Sequence, residues 1–421
     1  MALIACHDCD LLHHYQPLAN GEKAYCRRCG ALLYQQRRDA LPHALALTLT
    51  ALLAFLLAQA FPLLSLEFAG RVEQTYLISG VWALYQHGMG VLAGLVLWTS
   101  LLSPLLVMAG VLYLLLPRYV GWQPKYLAVV YRSIRFLRHW SMLAVLMLGV
   151  LIAFVKLQDL ADVIPGLSLA LFAVALIAYS AALVQFDAYP CWPVQQEIDS
   201  PVSPATTARA SGLIACHTCR LLVPRCDAGA RCPRCQSALH SRHAESVSHT
   251  WALLCTAALL LIPANCYPVM TVIQFGRGEP STILGGVLHL MDSGMWGLAL
   301  IVLFASVVVP VAKLGTLALL LISTTRGSSW RPADRTRLYR ITEVIGAWSM
   351  VDIYVVAILT ALVQMAALAT IEPGVGAIFF GGAVVVTMLA AQRFDPRLIW
   401  DRLPQREVSA QAGAGELQHA G

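Results

Sequence analysis

The chain has 421 residues, of which 58% are hydrophobic and only 12% charged, with a mean hydropathy of +0.67. Soluble domains carry about 25% charged residues, so the composition excludes an ordinary soluble enzyme and points to a polytopic membrane protein. The net charge of +6 lies in loops, where it sets membrane orientation, and no nucleic-acid partner is expected.

Residues 1–40 form a polar cysteine module, Cys6-His7-Asp8-Cys9 with Cys26-Arg27-Arg28-Cys29, and Asn20-Gly21 marks a turn between the pairs. This module stands where the apolar stretch of a signal peptide would be, so no cleavable signal is expected. Two CxxC turns converging on one ion are zinc-ribbon spacing, and four thiolates would close a tetrahedral structural site. A redox CxxC is the competing reading.

The first membrane unit, 41–187, follows. Its spans are expected at about Ala44–Leu66, Met89–Leu116, His139–Leu157 and from Pro165-Gly166 to Gln185. Pro62 suggests a kink or stop. Leu77–Leu84 reads as an interfacial or re-entrant piece. Asp159 and Asp162 form a short acidic link. The Pro/Ser-rich stretch 188–211 reads as a linker.

The module then returns at 212–245 as Cys216-His217-Thr218-Cys219 with Cys232-Pro233-Arg234-Cys235, preceded by the same Leu-Ile-Ala. Cys226 inside it reads as a bystander. The second membrane unit, 246–395, mirrors the first: Phe61-Pro62 matches Tyr267-Pro268, Pro104 matches Pro310, Trp140-Ser141-Met142 matches Trp348-Ser349-Met350, and Pro165-Gly166 matches Pro373-Gly374. An offset this steady indicates an internal repeat. Spans are expected at His249–Met270, Met295–Ser323, Gly346–Ala369 and Val375–Gln392, with a disordered tail over 396–421.

The basic loops 117–138 and 324–340 carry five Lys or Arg each, whereas 67–87 and 271–293 carry only Arg71 and Arg277. The positive-inside rule then places both termini, both cysteine modules and both basic loops in the cytoplasm. The expected architecture is an all-α polytopic membrane protein of two tandem repeats. Each repeat is a small cytosolic zinc ribbon followed by a four-helix transmembrane unit, eight spans in total.

Charges inside the spans carry the functional signal, since insertion at mid-helix costs about 2.5–3.5 kcal/mol on translocon scales. Lys313 sits in the sixth span and Asp352 near the start of the seventh, whereas the repeat positions Val107 and Ala144 are apolar. Two lone charges in adjacent helices are cheaper if they face each other, so Lys313 and Asp352 are expected in one polar cluster. Asn265, Thr316, Thr360, Gln364 and Thr387 are further candidates. The competing reading has Lys313 snorkelling and Asp352 at the interface. Pro104 and Pro310 are read as helix breaks lining a cavity or as ordinary kinks. His43 and His249 stand at cytosolic helix ends, where packing competes with metal ligation. No nucleophile–base pair or phosphate loop stands out, and no enzyme activity is expected.

Two CxxC…CxxC modules, each before four spans, with Trp-Ser-Met repeated in both units, resemble the paraquat-inducible protein A family over about residues 1–400. Trp348-Ser349-Met350-Val351-Asp352 and Pro310-Val311-Ala312-Lys313 carry the likeness in the second unit, while Leu143-Ala144 departs from it in the first. The resemblance implies an inner-membrane subunit that pairs with a periplasmic MCE-domain tunnel protein. It implies transport of lipids or other lipophilic molecules between the two membranes and upkeep of the outer membrane. Two readings of other classes stand beside it. One is a membrane thiol oxidoreductase working through the CxxC pairs. The other is a passive scaffold for a periplasmic partner.

Overall fold

A computed structural model of the chain describes residues 3–37, 39–68, 71–121, 124–158, 162–186, 206–225, 230–242, 245–274, 277–292, 294–362, 364–365 and 369–401. Most of the expected linker, Cys226, Asp159 and the tail beyond 401 lie outside the described residues.

The first module is two antiparallel hairpins, β1 (Leu3–Ala5) with β2 (Leu12–His14) and β3 (Lys23–Tyr25) with β4 (Leu32–Gln35). Helix α1 (Ala40–Ala60) follows. It stops short of the expected Leu66 for a local reason: Pro62 disfavours a helical residue before it, and Phe61 is extended at φ −108°, ψ 153°. The apolar run continues instead as β5 (Leu64–Phe68), paired with β6 (Arg71–Thr75). The piece expected to be interfacial or re-entrant is α2 (Ser79–Gln86).

Helix α3 (Gly90–Leu115) contains one π-helical turn, Trp98–Leu102, just before Ser103-Pro104. Pro104 has no N–H to give the carbonyl four residues back, and the widened turn absorbs that loss. The basic stretch expected as a loop holds α4 (Leu127–Leu137), whose Ile134 and Leu137 are buried against the bundle. A bend over 138–142 leads to α5 (Leu143–Gln158), β7 (Asp162–Pro165) and α6 (Leu167–Gln185).

The second half runs through β8 (Leu213–Ala215), β9 (Leu222–Pro224), α7 (Ser246–Cys266), β10 (Met270–Gln274), β11 (Arg277–Ser281) and α8 (Ile283–Asp292). Helix α9 (Trp296–Thr325) again has a π-helical turn, Phe304–Val308, before its proline. Helix α10 (Pro332–Gly346) passes through a 3-10 turn, Ala347–Met350, into α11 (Val351–Leu362). β12 (Gln364–Met365), β13 (Ala369–Pro373), α12 (Val375–Arg393) and a 3-10 turn, Pro396–Ile399, complete the described chain.

Two corrections to the expected architecture follow. The protein is mostly helical, not all-α. At the helix ends remote from the cysteine modules stand two antiparallel sheets, ordered β6-β5-β7 and β11-β10-β13-β12. Among the described residues, seven helical runs are long and apolar enough to cross a membrane, rather than eight. The expected third span is short: α5 has 16 residues, about 24 Å of helix against a hydrocarbon core of about 30 Å.

The Pro-Gly motifs belong to the sheets. Gly166 donates to the Leu63 carbonyl at 3.0 Å and Gly374 to that of Val269 at 2.8 Å. A Cβ on Gly166 would lie 1.9 Å from the Pro62 oxygen, and one on Gly374 2.2 Å from that of Pro268. Only glycine admits this approach.

In the bundle, α1 pairs with α6 and α7 with α12. Helix α11 lies at the centre, against α5 and α2, and is buried all round from Val351 to Thr360 apart from half-buried Asp352. Lipid tails give apolar helices no hydrophobic reason to associate, so close packing at small residues does the work. Gly149 of α5 admits the Tyr354 side chain, whose Cβ would be 2.9 Å from any Cβ on that glycine. The Tyr354 hydroxyl donates to Thr99 Oγ1, in the π-helical turn of α3, at 2.7 Å.

Candidate metal centres and intramembrane polar site

Each CxxC pair is a tight knuckle built the same way. The first cysteine donates its N–H to the carbonyl five residues on: Cys6 to Leu11 at 2.9 Å, Cys26 to Ala31 at 2.7 Å, Cys216 to Leu221 and Cys232 to Ser237 at 2.8 Å. Its own carbonyl accepts from the residue after the second cysteine. That residue is left-handed in all four knuckles: Asp10, Gly30, Arg220 and Gln236, at φ 64°, 66°, 59° and 56°. Only one is glycine. The other three carry strain of about 1–2 kcal/mol each, which persists where the surroundings over-determine the turn.

The knuckles bring four buried sulfurs together in each module. Cys6 lies 3.4 Å from Cys29 and Cys9 3.4 Å from Cys26; Cys216 lies 3.5 Å from Cys235 and Cys219 3.5 Å from Cys232. Within each set all ligand atoms lie within 4.8 Å of one another. A tetrahedral ion with metal–sulfur bonds of about 2.3 Å needs edges of about 3.8 Å, so both sets fit a metal ion. Burial pushes the Cys9 thiol up, while hydrogen bonds from Cys29 and Cys6 hold Cys26 far below the usual thiol range. Four thiolates this close repel unless a cation neutralises them.

The docking of the modules is crossed, which no local sequence pattern signals. The first module packs on the second membrane unit. Its cysteines, Leu11 and Leu33 join a core with Leu317, Leu320 and Leu321 of α9, Tyr339 of α10 and Trp400. Arg340 of α10 donates through Nε to Asp8 at 2.6 Å and through Nη2 to the Cys29 carbonyl at 3.0 Å and Sγ at 3.3 Å. Arg28 lies over the Trp400 ring, 4.4 Å from its centroid. The second module packs on Tyr131 of α4 in the first unit, and Arg135 donates to the His217 carbonyl at 3.4 Å.

The modules also clasp each other. Leu12 donates to the Thr206 carbonyl at 3.0 Å and Ala208 to that of Asp10 at 2.8 Å. Arg242 bridges Asp10 at 3.0 Å and Asp401 at 2.6 Å. Burial pushes the Asp10 carboxyl up, and Arg242 pulls the other way. Residues 396–401, expected in the tail, form part of this clasp.

The candidate polar residues separate into two groups. Lys313 is buried, 3% exposed in the apolar bundle, and donates to Thr387 Oγ1 of α12 at 3.2 Å. Thr387 in turn donates to the Val384 carbonyl at 2.8 Å. Asp352 is half-buried, and among the described residues no ion pair joins it to Lys313. The reason is helical level. Lys313 stands against Gly346, and Asp352 is six residues further on, about 9 Å along the axis. Asn265, Thr316 and Thr360 each donate to a carbonyl four residues back on their own helix. The side chain of Gln364 lies outside the described residues. His43 and His249 are exposed and bind Asp39 and Glu245, away from both sulfur sets. Sequence reasoning missed Arg340, Gly346 and the Tyr354–Thr99 bond, because each acquires its role only through a partner remote in the chain.

Comparisons with known proteins agree with this layout. The model of the paraquat-inducible protein A family matches twice, over residues 41–196 and 247–404, on the two membrane units. Intermembrane transport protein PqiA of Escherichia coli (strain K12) is 32% identical over 412 residues, 96% of this chain and 97% of that protein. Lipophilic envelope-spanning tunnel protein A of the same organism is 30% identical over 397 residues, 94% of this chain and 90% of that protein. A probable intermembrane transport protein of Haemophilus influenzae is 26% identical over 405 residues, 94% and 95% of the two chains. No solved structure matches the chain. The chain is a multi-pass membrane protein of the paraquat-inducible protein A family.

Proposed function

We propose that this protein is the inner-membrane subunit of a system that moves lipids or other lipophilic molecules between the inner and outer membranes, and so maintains the outer membrane. It is a transporter component, not an enzyme. Its partner is a periplasmic MCE-domain protein whose homo-oligomer forms the tunnel, and its cargo reaches the bundle from the membrane. Both cysteine modules are zinc ribbons in the cytoplasm, where zinc in two four-cysteine sites has a structural role. The small sheets at the far helix ends face the periplasm.

The observation that carries the reading is Lys313, a buried cation in an apolar bundle. Such a residue is costly to insert, and intramembrane ionisable groups mark transport pathways. The names of the full-length relatives point the same way. Orientation rests on the clustering of Arg and Lys at the module side. Structural zinc is supported by the sulfur pairing. The short contacts run between knuckles, Cys6 to Cys29 and Cys9 to Cys26, whereas a redox CxxC would pair its own two cysteines.

Rescue of an envelope-permeability defect tests the proposal, in a strain lacking this protein and its paralogues. Lys313→Ala and Asp352→Ala are expected to lose rescue at normal protein level and with normal partner co-purification. Full rescue by both would move the working centre to the partner and leave this chain a scaffold.

A further inference from the structure

We propose that Gly346 is a positioning residue that seats Lys313, and that α10 ties this seat to the first metal module. The inference rests on the reading of Lys313 as a working group and adds how that group is held.

Helices α9 and α10 run antiparallel around the tight turn at 326–331, which brings Lys313 level with Gly346. A Cβ on Gly346 would lie 2.8 Å from Lys313 Nζ and 2.9 Å from its Cε. The end of the lysine therefore lies flat on the backbone of α10. From there Nζ reaches Thr387 Oγ1 at 3.2 Å on a third helix. A Cβ at 346 would push the flexible end of the lysine off this seat, away from Thr387. Gly346 has ordinary helical φ and ψ of −57° and −29°, so backbone freedom is not what the position requires. It requires the missing side chain.

The seat is fixed by what grips α10. Arg340, six residues before Gly346 and about 9 Å down the axis, is held by Asp8 and by the carbonyl and Sγ of Cys29. Its neighbour Tyr339 donates to the Ala391 carbonyl at 3.0 Å, one helical turn from Thr387 on α12. A closed circuit results, from the first module through Arg340 to Gly346, across Lys313 to Thr387, and back through Tyr339. Moving the module moves the helix on which the lysine lies. The first unit lacks the lysine of this circuit. By the repeat offset its equivalents of Lys313, Gly346 and Thr387 are Val107, Arg138 and Tyr179.

The test compares four variants of the full chain in detergent and in the permeability assay: Gly346→Ala, Lys313→Ala, both together, and Arg340→Met. Gly346→Ala should displace the lysine end, so that any fall in Tm is small and confined to the background that keeps Lys313. In the Lys313→Ala background it should be neutral or raise Tm, because the clash is gone and alanine favours helix over glycine. An equal fall in both backgrounds would mean that glycine serves the backbone or other neighbours, and would overturn the seat. In the permeability assay Gly346→Ala should lose rescue to the level of Lys313→Ala, with the double variant no worse than either. Rescue by Gly346→Ala where Lys313→Ala fails would defeat the seat and leave the transport reading standing. Full rescue by Lys313→Ala would defeat that reading instead, and the Tm comparison would decide the seat alone. Arg340→Met should lose rescue while retaining bound metal at the wild-type level. Full rescue by Arg340→Met would remove the coupling to the first module.

Discussion

Arg242→Met tests the clasp between the two cysteine modules. Arg242 is 12% exposed and lies between Asp10, 3% exposed, and Asp401, 17% exposed. Deleting one partner of a buried ion pair costs about 3–5 kcal/mol, mostly because the other charge is stranded. Here the stranding is incomplete. Asp10 keeps the Arg209 N–H at 3.3 Å and Arg397 at 3.9 Å, and Asp401 keeps Arg209 at 3.0 Å. The expected cost is therefore about 2–3 kcal/mol, which is roughly 30- to 150-fold in the opening equilibrium of the clasp. Hydrogen exchange reads this directly. The N–H groups of Leu12 and Ala208 are the backbone links between the module and the 206–208 segment, and both should exchange faster by that factor with both metals still bound. Asp10→Asn added to Arg242→Met should recover most of the loss, since no uncompensated carboxylate then remains at Asp10. Exchange within about threefold of wild type, under 1 kcal/mol, would show that Arg242 is not what holds the clasp shut.

Metal analysis of anaerobically prepared, metal-replete protein should give two zinc ions per chain, and Cys26→Ser should leave about one. Well under one in the wild type would sink the ribbon assignment. Gly166→Ala and Gly374→Ala place a Cβ 1.9 and 2.2 Å from a carbonyl oxygen, so each should abolish a monodisperse peak in size-exclusion chromatography; normal peaks would mean the Pro-Gly turns can move apart. Tyr354→Phe removes only the hydroxyl bond to Thr99 and should cost about 0.6–1.7 kcal/mol. Tyr354→Ala adds a cavity at the bundle centre and should cost about 3–5 kcal/mol. Thermal unfolding compares them, and equal losses would mean that packing against Gly149 contributes nothing.

What could be read in the sequence was whatever is encoded locally. The CxxC spacing located both sulfur sets, because a knuckle is a short-range turn. Pro62 was legible as a kink or stop, since the proline ring acts on the preceding residue, although the expected spans run on to Leu66 and Met270. The sheets were missed for an equally physical reason. Leu63-Leu64-Ser65-Leu66 prolongs the apolar run of α1 past Pro62, and a short apolar stretch after a proline kink looks like more helix. The short α5 was missed because the bend at 138–142 is set by contacts across helices. Ser103 Oγ donates to the Leu137 carbonyl at 2.8 Å, and Met142 N–H to the Thr99 carbonyl at 3.2 Å. The expectation that Lys313 would face Asp352 reasoned from charge alone. In the bundle, helical level decides, and at the level of Lys313 the neighbours are Gly346 and Thr387.

The crossed docking lies beyond any local reading, yet it reorganises the meaning of the repeat. If each metal module sat on its own membrane unit, the halves could move as independent bodies. Here the first module grips α10 of the second unit through Arg340, the second rests on α4 of the first through Arg135, and Arg242 with Asp10 clasps the modules together. Each module thus touches a helix of the opposite unit. The two grips are unequal. The first module buries its cysteines in a shared core with α9, α10 and α12, whereas the second meets α4 through Tyr131 and Arg135 and the end of the second unit through His217 on Arg397 and Arg242 on Asp401. The unit that carries the buried lysine is thus the one held tightly at its module end. Its counterpart has Val107 at that place. On the proposed transport reading one part of the bundle yields to cargo while another keeps its geometry, and the half containing Lys313, gripped through Arg340 and the shared core, is the part that is held.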